Sequence, residues 1–385
     1  MTTDALHKVR MKILVTGGTG MLGSAIIRLY HQQYDLHFIG RNEKIVKQLT
    51  DKYPVTGHVI DLSDQQALSS ILQSAFGEND GNKVASDTKV ATDFKVASDI
   101  KVTSHADNKS GHFDAIIHCA AFSSAWGTYD AFYQANVVAT ENLLTLAKQH
   151  RIGTFVHIST TSVYFDFTDR WSINEQDPVA KTFCCDYTQT KYLAEQAVLA
   201  NSHGQGLNTV ILRPRGIYGP NDRALVPRLL AAVNGNRLLI PSAKNPVLDL
   251  TYVDNVADAA LLACVKATSL ESGHIFNISN DQPMPINDVL RQLLSALSKG
   301  EQQRPIKLTP LPYALLAPVI ALNEKICRYL PHQPEPKITI YSAGLLNFHQ
   351  TLNINKAKQC LDYQANVSIT EGITRYVDWT KNKTV

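Results

Sequence analysis

The chain contains no long apolar run. The apolar stretch beginning at Met11 is about five residues long, right for a buried strand and far short of a membrane span. The other candidate, residues 311–322, is also too short and carries Pro312 and Pro318, so it reads as an interior or substrate-facing helix. The opening MTTDALHKVR lacks the basic, apolar and small-residue succession of a secretory signal, and none is expected. Charge is scarcely in excess: the formal net charge is +3 and no dense Lys/Arg run occurs, which argues against a nucleic-acid partner. Cysteine is sparse too. Cys119, Cys184, Cys185, Cys264, Cys327 and Cys360 show no metal-ligand spacing, so no metal site is expected. Cys184 and Cys185 are adjacent and poorly placed for a disulfide, and all six read as free thiols of a cytoplasmic protein.

What is present suits a packed core: 44% of residues are hydrophobic and 18% charged. Apolar strands are expected at 12–16, 36–39, 55–60, 113–118, 155–159 and 209–213. Amphipathic helices lie between them. The first covers 20–32, with Leu22, Ile26 and Leu29 on one face. The next two run through Ile45 and Leu49 and through Leu68, Ile71 and Leu72, and a fourth covers 132–150. Such alternation implies an α/β fold with a doubly wound parallel sheet covered on both faces, a Rossmann fold. We place this domain at 11–215. One segment breaks the pattern: KVASD, KVATD and KVASD at 83–87, 89–93 and 95–99 repeat every six residues, with a decayed copy at 101–104. The surrounding residues, 77–112, read as a solvated, disordered surface insertion. From 216 to 385 prolines multiply and the alternation loosens, as expected of a smaller substrate-binding region. Within it, 248–280 partly returns to the main sheet, through a strand at 250–253 and the helix after it.

The first strand runs into Gly17-Gly18-Thr19-Gly20-Met21-Leu22-Gly23, a GxxGxxG that opens a helix. Its glycines allow a tight turn and close approach of backbone to a pyrophosphate, and the helix N-terminus adds free N–H groups. The second strand ends Ile39-Gly40-Arg41-Asn42, with no acidic residue between Leu36 and Asn42. A site for NAD usually places Asp or Glu there. Arg41 instead offers a forked cation for a 2′-phosphate, so NADP(H) is preferred over NAD(H). Asp61-Leu62 closes the third strand, where the carboxylate either meets the adenine edge or caps a helix. Ala120 and Ala121 follow the fourth strand, and small residues there let cofactor lie against backbone.

Among fifteen tyrosines only Tyr187 has a lysine four residues on, Lys191, and the pair falls on a helix after the fifth strand. Residues i and i+4 share a helix face, so an ammonium sits near the phenol. A free phenol has a pKa of about 10, and a nearby cation should lower it and make proton exchange possible near neutrality. Upstream, Ser159-Thr160-Thr161-Ser162 ends the fifth strand. A hydroxyl from Thr160, Thr161 or Ser162 can hold a substrate oxygen at that sheet edge, although Ser and Thr are also common in turns.

Glycine loop, hydroxyl strand and YxxxK occur here in the order of the extended short-chain dehydrogenases/reductases, and residues 11–260 resemble that superfamily. The resemblance implies that Tyr187, Lys191 and Thr160 are catalytic, and that Asn136, in NVVAT, supports the proton relay. Ala139 stands where the superfamily usually has glycine. Arg213-Pro214-Arg215-Gly216-Ile217-Tyr218-Gly219-Pro220 resembles the LRPxxxYGP turn, so Pro214, Gly216 and Ile217 are implied to meet the nicotinamide. The superfamily's epimerases often read RDFVYVxD near the end of the sheet; here Leu248 replaces the arginine that grips a sugar-nucleotide phosphate. Residues 245–256 instead resemble the N-x-VDFTYVxNV stretch of the 3β-hydroxysteroid dehydrogenase branch, with one extra residue after the Asn. Residues 120–127, AAFSSAWG, resemble the AAxxxxWG of that branch's bacterial reductases, the 2-alkyl-3-oxoalkanoate reductases among them.

These readings imply hydride transfer between NADP(H) and a ketone or secondary alcohol on an apolar substrate, sterol-like or long-chain 3-oxo, with Trp126 as one wall of the pocket. A nucleotide-sugar epimerase or dehydratase is the second reading, and a non-catalytic NADP-sensing scaffold the third. The resemblance also implies a homodimer pairing through helices at 132–150 and 184–200.

Overall fold

A computed structural model describes residues 10–76, 112–202, 206–297 and 306–383. The repeat insertion read at 77–112 lies, apart from its last residue, outside the described residues. Seven strands form the main sheet: β1 (Lys12–Thr16), β2 (Asp35–Gly40), β3 (Thr56–Val59), β4 (Ala115–His118), β5 (Thr154–Ile158), β6 (Asn208–Pro214) and β7 (His274–Ile278). All their pairings are parallel, in the order β7-β6-β5-β4-β1-β2-β3. The strand order reverses between β1 and β4. Ligands enter an open α/β sheet at such a switch point, beyond the carboxyl ends of the strands.

Alternate residues along the strands serve opposite faces. Ile13, Val15, Phe38, Ile117 and Val156 face α1 (Met21–Tyr30) and a later helix, Val253–Lys266. Leu14, Ile39, Ile116 and Phe155 face the other layer. That layer includes α2 (Ala139–Gln149), whose Leu143 and Leu144 are buried, and α3 (Asp186–Ala200), which contributes Val198. Each fully buried Leu, Ile or Phe contributes about 1.5–3 kcal/mol, so both layers are needed to cover the sheet. The polypeptide ahead of α2 is also helical: Tyr129–Tyr133 runs into a π-helical turn, Gln134–Val138, which carries Asn136. Single π turns inside helices are frequent at functional sites.

The return to the sheet differs from the expectation. The short strand is Thr251–Tyr252, and it pairs with Ile217–Tyr218 outside the main sheet. Helix formation from Val253 cuts it short, and the Asn280 side chain takes the Tyr252 N–H. The helix α4 (Val253–Lys266) does pack on the sheet, and Arg28 of α1 pairs with its Asp254. The strand that joins the sheet is β7, through His274–Ile278.

Of the two readings of 311–322, the helix α5 (Tyr313–Tyr329) overturns the interior one. Only Ile320 and Cys327 of it are buried, while Leu315, Val319 and Leu322 are 71%, 65% and 60% exposed. The helix lies on the outside of the molecule, and the leucines that made it look interior face away from the core. No described helix is long and apolar enough to cross a membrane.

Candidate active site

The glycine loop joins β1 to α1 at the switch point. Gly17 has φ +68°, and a Cβ there would come within 2.8 Å of the Ala120 backbone nitrogen. Only glycine lets this loop lie so close to the segment after β4. Gly20 starts α1 with no side-chain cap, and no acidic residue occupies the first turn. The helix end therefore keeps its positive pole and its amides at Met21 and Leu22 for an anion. Thr19 packs on Gly40 at the end of β2, and Gly23 packs on the backbone of Gly17 and Gly18. Leu62 is buried, and its carbonyl oxygen accepts from Asn142. The Ala120 amide donates to the Thr16 hydroxyl oxygen at 3.2 Å. An uncapped helix start, a close-packed glycine turn and small residues across the crevice fit a dinucleotide.

Arg41 and Asp61 stand together at the rim of this crevice, Nη1 to Oδ2 3.7 Å, and the Arg41 side chain is 71% exposed. Asp61 also accepts from the Ser63 amide (3.0 Å) and hydroxyl (2.8 Å). These bonds, and then Arg41, hold its carboxyl below the usual carboxylate range. The cap of the following helix is instead Asp64, which receives the Ala67 amide at 3.0 Å.

Tyr187 lies in the first turn of α3, half-buried, with its hydroxyl near the side chains of Ser123 and Thr160. Burial raises the phenol, and the two hydroxyls pull it back. Lys191 shares the helix but turns elsewhere. It is 2% exposed, and its Nζ donates to the Ile158 carbonyl oxygen at 2.7 Å and meets His157 Nε2 at 3.2 Å. The expectation that this ammonium lowers the phenol is corrected here. The i, i+4 spacing is right, but a four-carbon stem reaches past the phenol to the carbonyl at the end of β5. Burial brings the Lys191 amine down to about 8, against the opposing pull of Glu195 and Cys119.

Thr160 sits at the end of β5 and caps the turn Thr161–Tyr164, accepting from the Ser162 amide at 3.1 Å. Ser162 is buried and bonds the Tyr341 hydroxyl at 2.7 Å. The hydroxyl of Thr161 turns to the Pro214 carbonyl, 3.4 Å, and serves the backbone there. Asn136 accepts from the Phe122 amide at 2.8 Å and donates to Thr190 Oγ1 at 3.0 Å. It thereby ties the turn that carries Ala121 and Ser123 to the helix of Tyr187, so its part is positional. Pro214, Gly216 and Ile217 lie where β6 leaves the sheet; Gly216 has φ +47° and its carbonyl accepts from Thr251.

Beneath Tyr187 and Lys191, Glu195 and Arg213 form a fully buried pair, with contacts of 2.9 and 2.5 Å through Nε and Nη2. Ser159 donates to Glu195, and Arg213 Nη1 donates to the Tyr164 hydroxyl at 2.7 Å. A cleft of about 290 Å³ is walled by Trp126, Cys184, Cys185, Ala321 and Tyr341. Trp126 is fixed there: its indole donates to the Gln333 carbonyl at 2.9 Å, and the Arg328 guanidinium stacks on the ring at 4.3 Å.

Sequence reasoning missed Ser123, Glu195 and Tyr341. Ser123 had a signal, a hydroxyl just beyond Ala120-Ala121 at the same sheet edge. Glu195 had one too, since it continues the four-residue step of Tyr187 and Lys191. Tyr341 had none, because only the fold brings it to Ser162.

Residues 37–309 match the 3-beta hydroxysteroid dehydrogenase/isomerase family. The chain belongs to that family. A relative, the 2-alkyl-3-oxoalkanoate reductase of Stenotrophomonas maltophilia, is 31% identical over 370 residues, 95% of this chain and 98% of that protein. The decarboxylating sterol-4-alpha-carboxylate 3-dehydrogenase of Candida albicans is 32% identical over 273 residues, 69% of this chain and 76% of that protein. Among solved structures, a UDP-glucuronic acid 4-epimerase from Bacillus cereus in complex with NAD superposes with a TM-score of 0.64 at 19% identity, covering 97% of this chain and all of that one. That likeness speaks for the fold. Membership in the 3-beta hydroxysteroid dehydrogenase/isomerase family makes the protein an NAD(P)-dependent oxidoreductase acting on CH–OH and keto groups.

Proposed function

We propose that the protein is an NADP(H)-dependent reductase of ketones on apolar substrates, with a long-chain 3-oxo acid as the substrate class that fits best. The observation that carries this reading is the Tyr187 hydroxyl, placed beside the hydroxyls of Thr160 and Ser123 at the carboxyl edge of the sheet. A phenol raised by burial keeps its proton at neutral pH, so it stands in the acid form that a general acid in reduction needs.

When bound, the nicotinamide cofactor supplies the hydride. The chain's own residues do the rest. The Gly17–Gly20 turn and the start of α1 would hold the pyrophosphate, and Arg41 would meet the 2′-phosphate. Thr160 and Ser123 orient the phenol and the substrate oxygen, and Tyr187 delivers the proton to that oxygen. Lys191, anchored on Ile158 and His157, would meet the cofactor's ribose. Asn136 keeps the Ser123 turn in register with α3.

The substrate assignment draws on the cleft. Trp126 and Ala321 give it an apolar wall, and Lys325 and Arg328 bring cations to a lining that also holds Glu324. The relatives' names also join an oxo or hydroxyl carbon to a carboxylate. The test is NADPH oxidation with 2-alkyl-3-oxo acids of increasing chain length, alongside their methyl esters. Turnover should rise with chain length and favour the free acid. Equal turnover of acid and ester would remove the carboxylate, and no turnover of any ketone would remove the reductase reading.

A further inference from the structure

Arg215 is a buried charge without a counterpart. It is 5% exposed, and among the described residues its guanidinium has no hydrogen bond and no ion pair. Lys191, Glu195, Arg213, Asp222, Asp249 and Asp254 are also buried, and each is hydrogen-bonded. Taking a cation out of water without pairing it is costly. Buried polar groups are almost always bonded, so the exception marks a group kept for a use beyond the fold.

The backbone that carries Arg215 is fixed. It follows Pro214 at the carboxyl end of β6. Its amide donates to the Ile278 carbonyl oxygen at 3.1 Å, and its own carbonyl oxygen accepts from Thr251 Oγ1 at 2.6 Å. The Pro214 carbonyl oxygen meets the hydroxyl of Thr161, which stands between Thr160 and Ser162 in the turn after β5. The Arg215 side chain lies near Tyr341 and Asp249. Tyr341, from a short helix at Ile340–Leu345, lines the cleft and bonds Ser162 at 2.7 Å. Asp249 does not close on Arg215: its Oδ2 is held by the Leu352 amide at 2.8 Å, and no ion pair joins the two. The forked donors of Arg215 are therefore unused, at the sheet edge that carries the catalytic hydroxyls.

We propose that Arg215 binds the substrate's carboxylate, taking the acid group of a 3-oxo acid through two parallel hydrogen bonds while the keto oxygen lies at Tyr187. This rests on the reductase reading above and names the residue that selects the acid. One carbon separates the carboxyl from the keto carbon in such a substrate, so both groups must be received at neighbouring points of one site. The contact of Pro214 with Thr161 brings the base of Arg215 to the hydroxyl turn. A planar guanidinium matches a carboxylate in geometry as well as charge. The other cations are worse placed. Lys325 is exposed and shares the cleft lining with Glu324. Arg328 is engaged by the Gly127 carbonyl oxygen, Asp186 and the Trp126 ring. An ester leaves the Arg215 cation buried and unpaired, and a site built on such a bond rejects ligands that cannot make it.

The test is isothermal titration of dodecanoate and methyl dodecanoate into the full chain, with and without NADP+. The unsubstituted protein should bind the acid about 10- to 100-fold more tightly than the ester, the worth of hydrogen bonds to a charged group. Arg215→Met should abolish that preference and leave ester binding within about threefold. Lys325→Met and Arg328→Met should keep most of the preference, and NADPH affinity should stay within about twofold in Arg215→Met. No preference in the unsubstituted protein, or a preference that survives Arg215→Met, would overturn the proposal. So would an NADPH loss as large as the dodecanoate loss, by giving Arg215 to the cofactor. If Arg215→Met fails to fold, Arg215→Lys decides: a point charge in place of the fork should cut the preference severalfold, and an undiminished preference rejects the site. Neither probe carries a keto group, so binding is read without turnover. A preference lost in Arg215→Met, in a protein that reduces no ketone, upholds the site and rejects the reductase. Ketone reduction with the preference untouched in Arg215→Met rejects the site alone.

Discussion

The Lys191 ammonium donates to the Ile158 carbonyl oxygen at 2.7 Å, closing the end of β5 with a buried cation. This contact sets the first prediction. Burial lowers the amine from its ordinary 10.5 to about 8. Between those values the unfolded chain binds a proton that the folded chain has released, so this group's contribution favours folding more as pH rises. Below about pH 8 both states are protonated and the unfavourable contribution is constant. The melting temperature of the protein, minus that of Lys191→Met, should therefore increase from pH 8 to 10, and a flat difference would contradict the burial. Over the same range kcat/KM should fall along an alkaline limb near pH 8, as the Lys191 cation proposed to meet the ribose is lost.

Tyr187→Phe should fold and bind cofactor while losing turnover by about 100- to 10,000-fold, the usual contribution of a positioned acid. Cofactor fluorescence and steady-state kinetics check both halves. Ser123→Ala should lose less, because Thr160 still holds the phenol; a loss equal to that of Tyr187→Phe would give Ser123 a more direct part.

Arg41→Ala should weaken NADPH by about 10- to 100-fold, the worth of one hydrogen bond to a charged group, and change NADH binding little. Asp61 complicates the site in a measurable way. Its carboxylate is 3.7 Å from Arg41 and would meet the same 2′-phosphate. Asp61→Asn should therefore shift preference further toward NADPH. Isothermal titration with both cofactors decides both points, and equal losses for the two cofactors in Arg41→Ala would remove the NADP(H) preference.

Arg213→Met should cost about 3–5 kcal/mol, because it leaves the Glu195 charge buried without its partner. Urea unfolding measures this directly. The loss should shrink when Glu195→Gln is added, since the stranded charge is then gone.

Much of the fold was legible because parallel strands buried on both faces are continuous apolar runs. The first strand was read at 12–16 and found at Lys12–Thr16. The strand β7 was not read: His274 and Asn277 interrupt its apolar residues, as an edge position allows, and Ile275, Phe276 and Ile278 make too short a run to signal it. At the site, Tyr187 and Lys191 were visible because their spacing is local. The direction in which Lys191 points was not, since it depends on an open carbonyl at the end of another strand. The outward face of α5 was also misread, because a run of leucines looks the same whether it meets a core or solvent.

The sealed pair of Glu195 and Arg213 also bears on how this sequence can drift. Replacing either residue alone strands a charge under the catalytic helix, so single steps away from the pair are penalised. The two positions are bound to change together or not at all, and a chain lacking one should also lack the other.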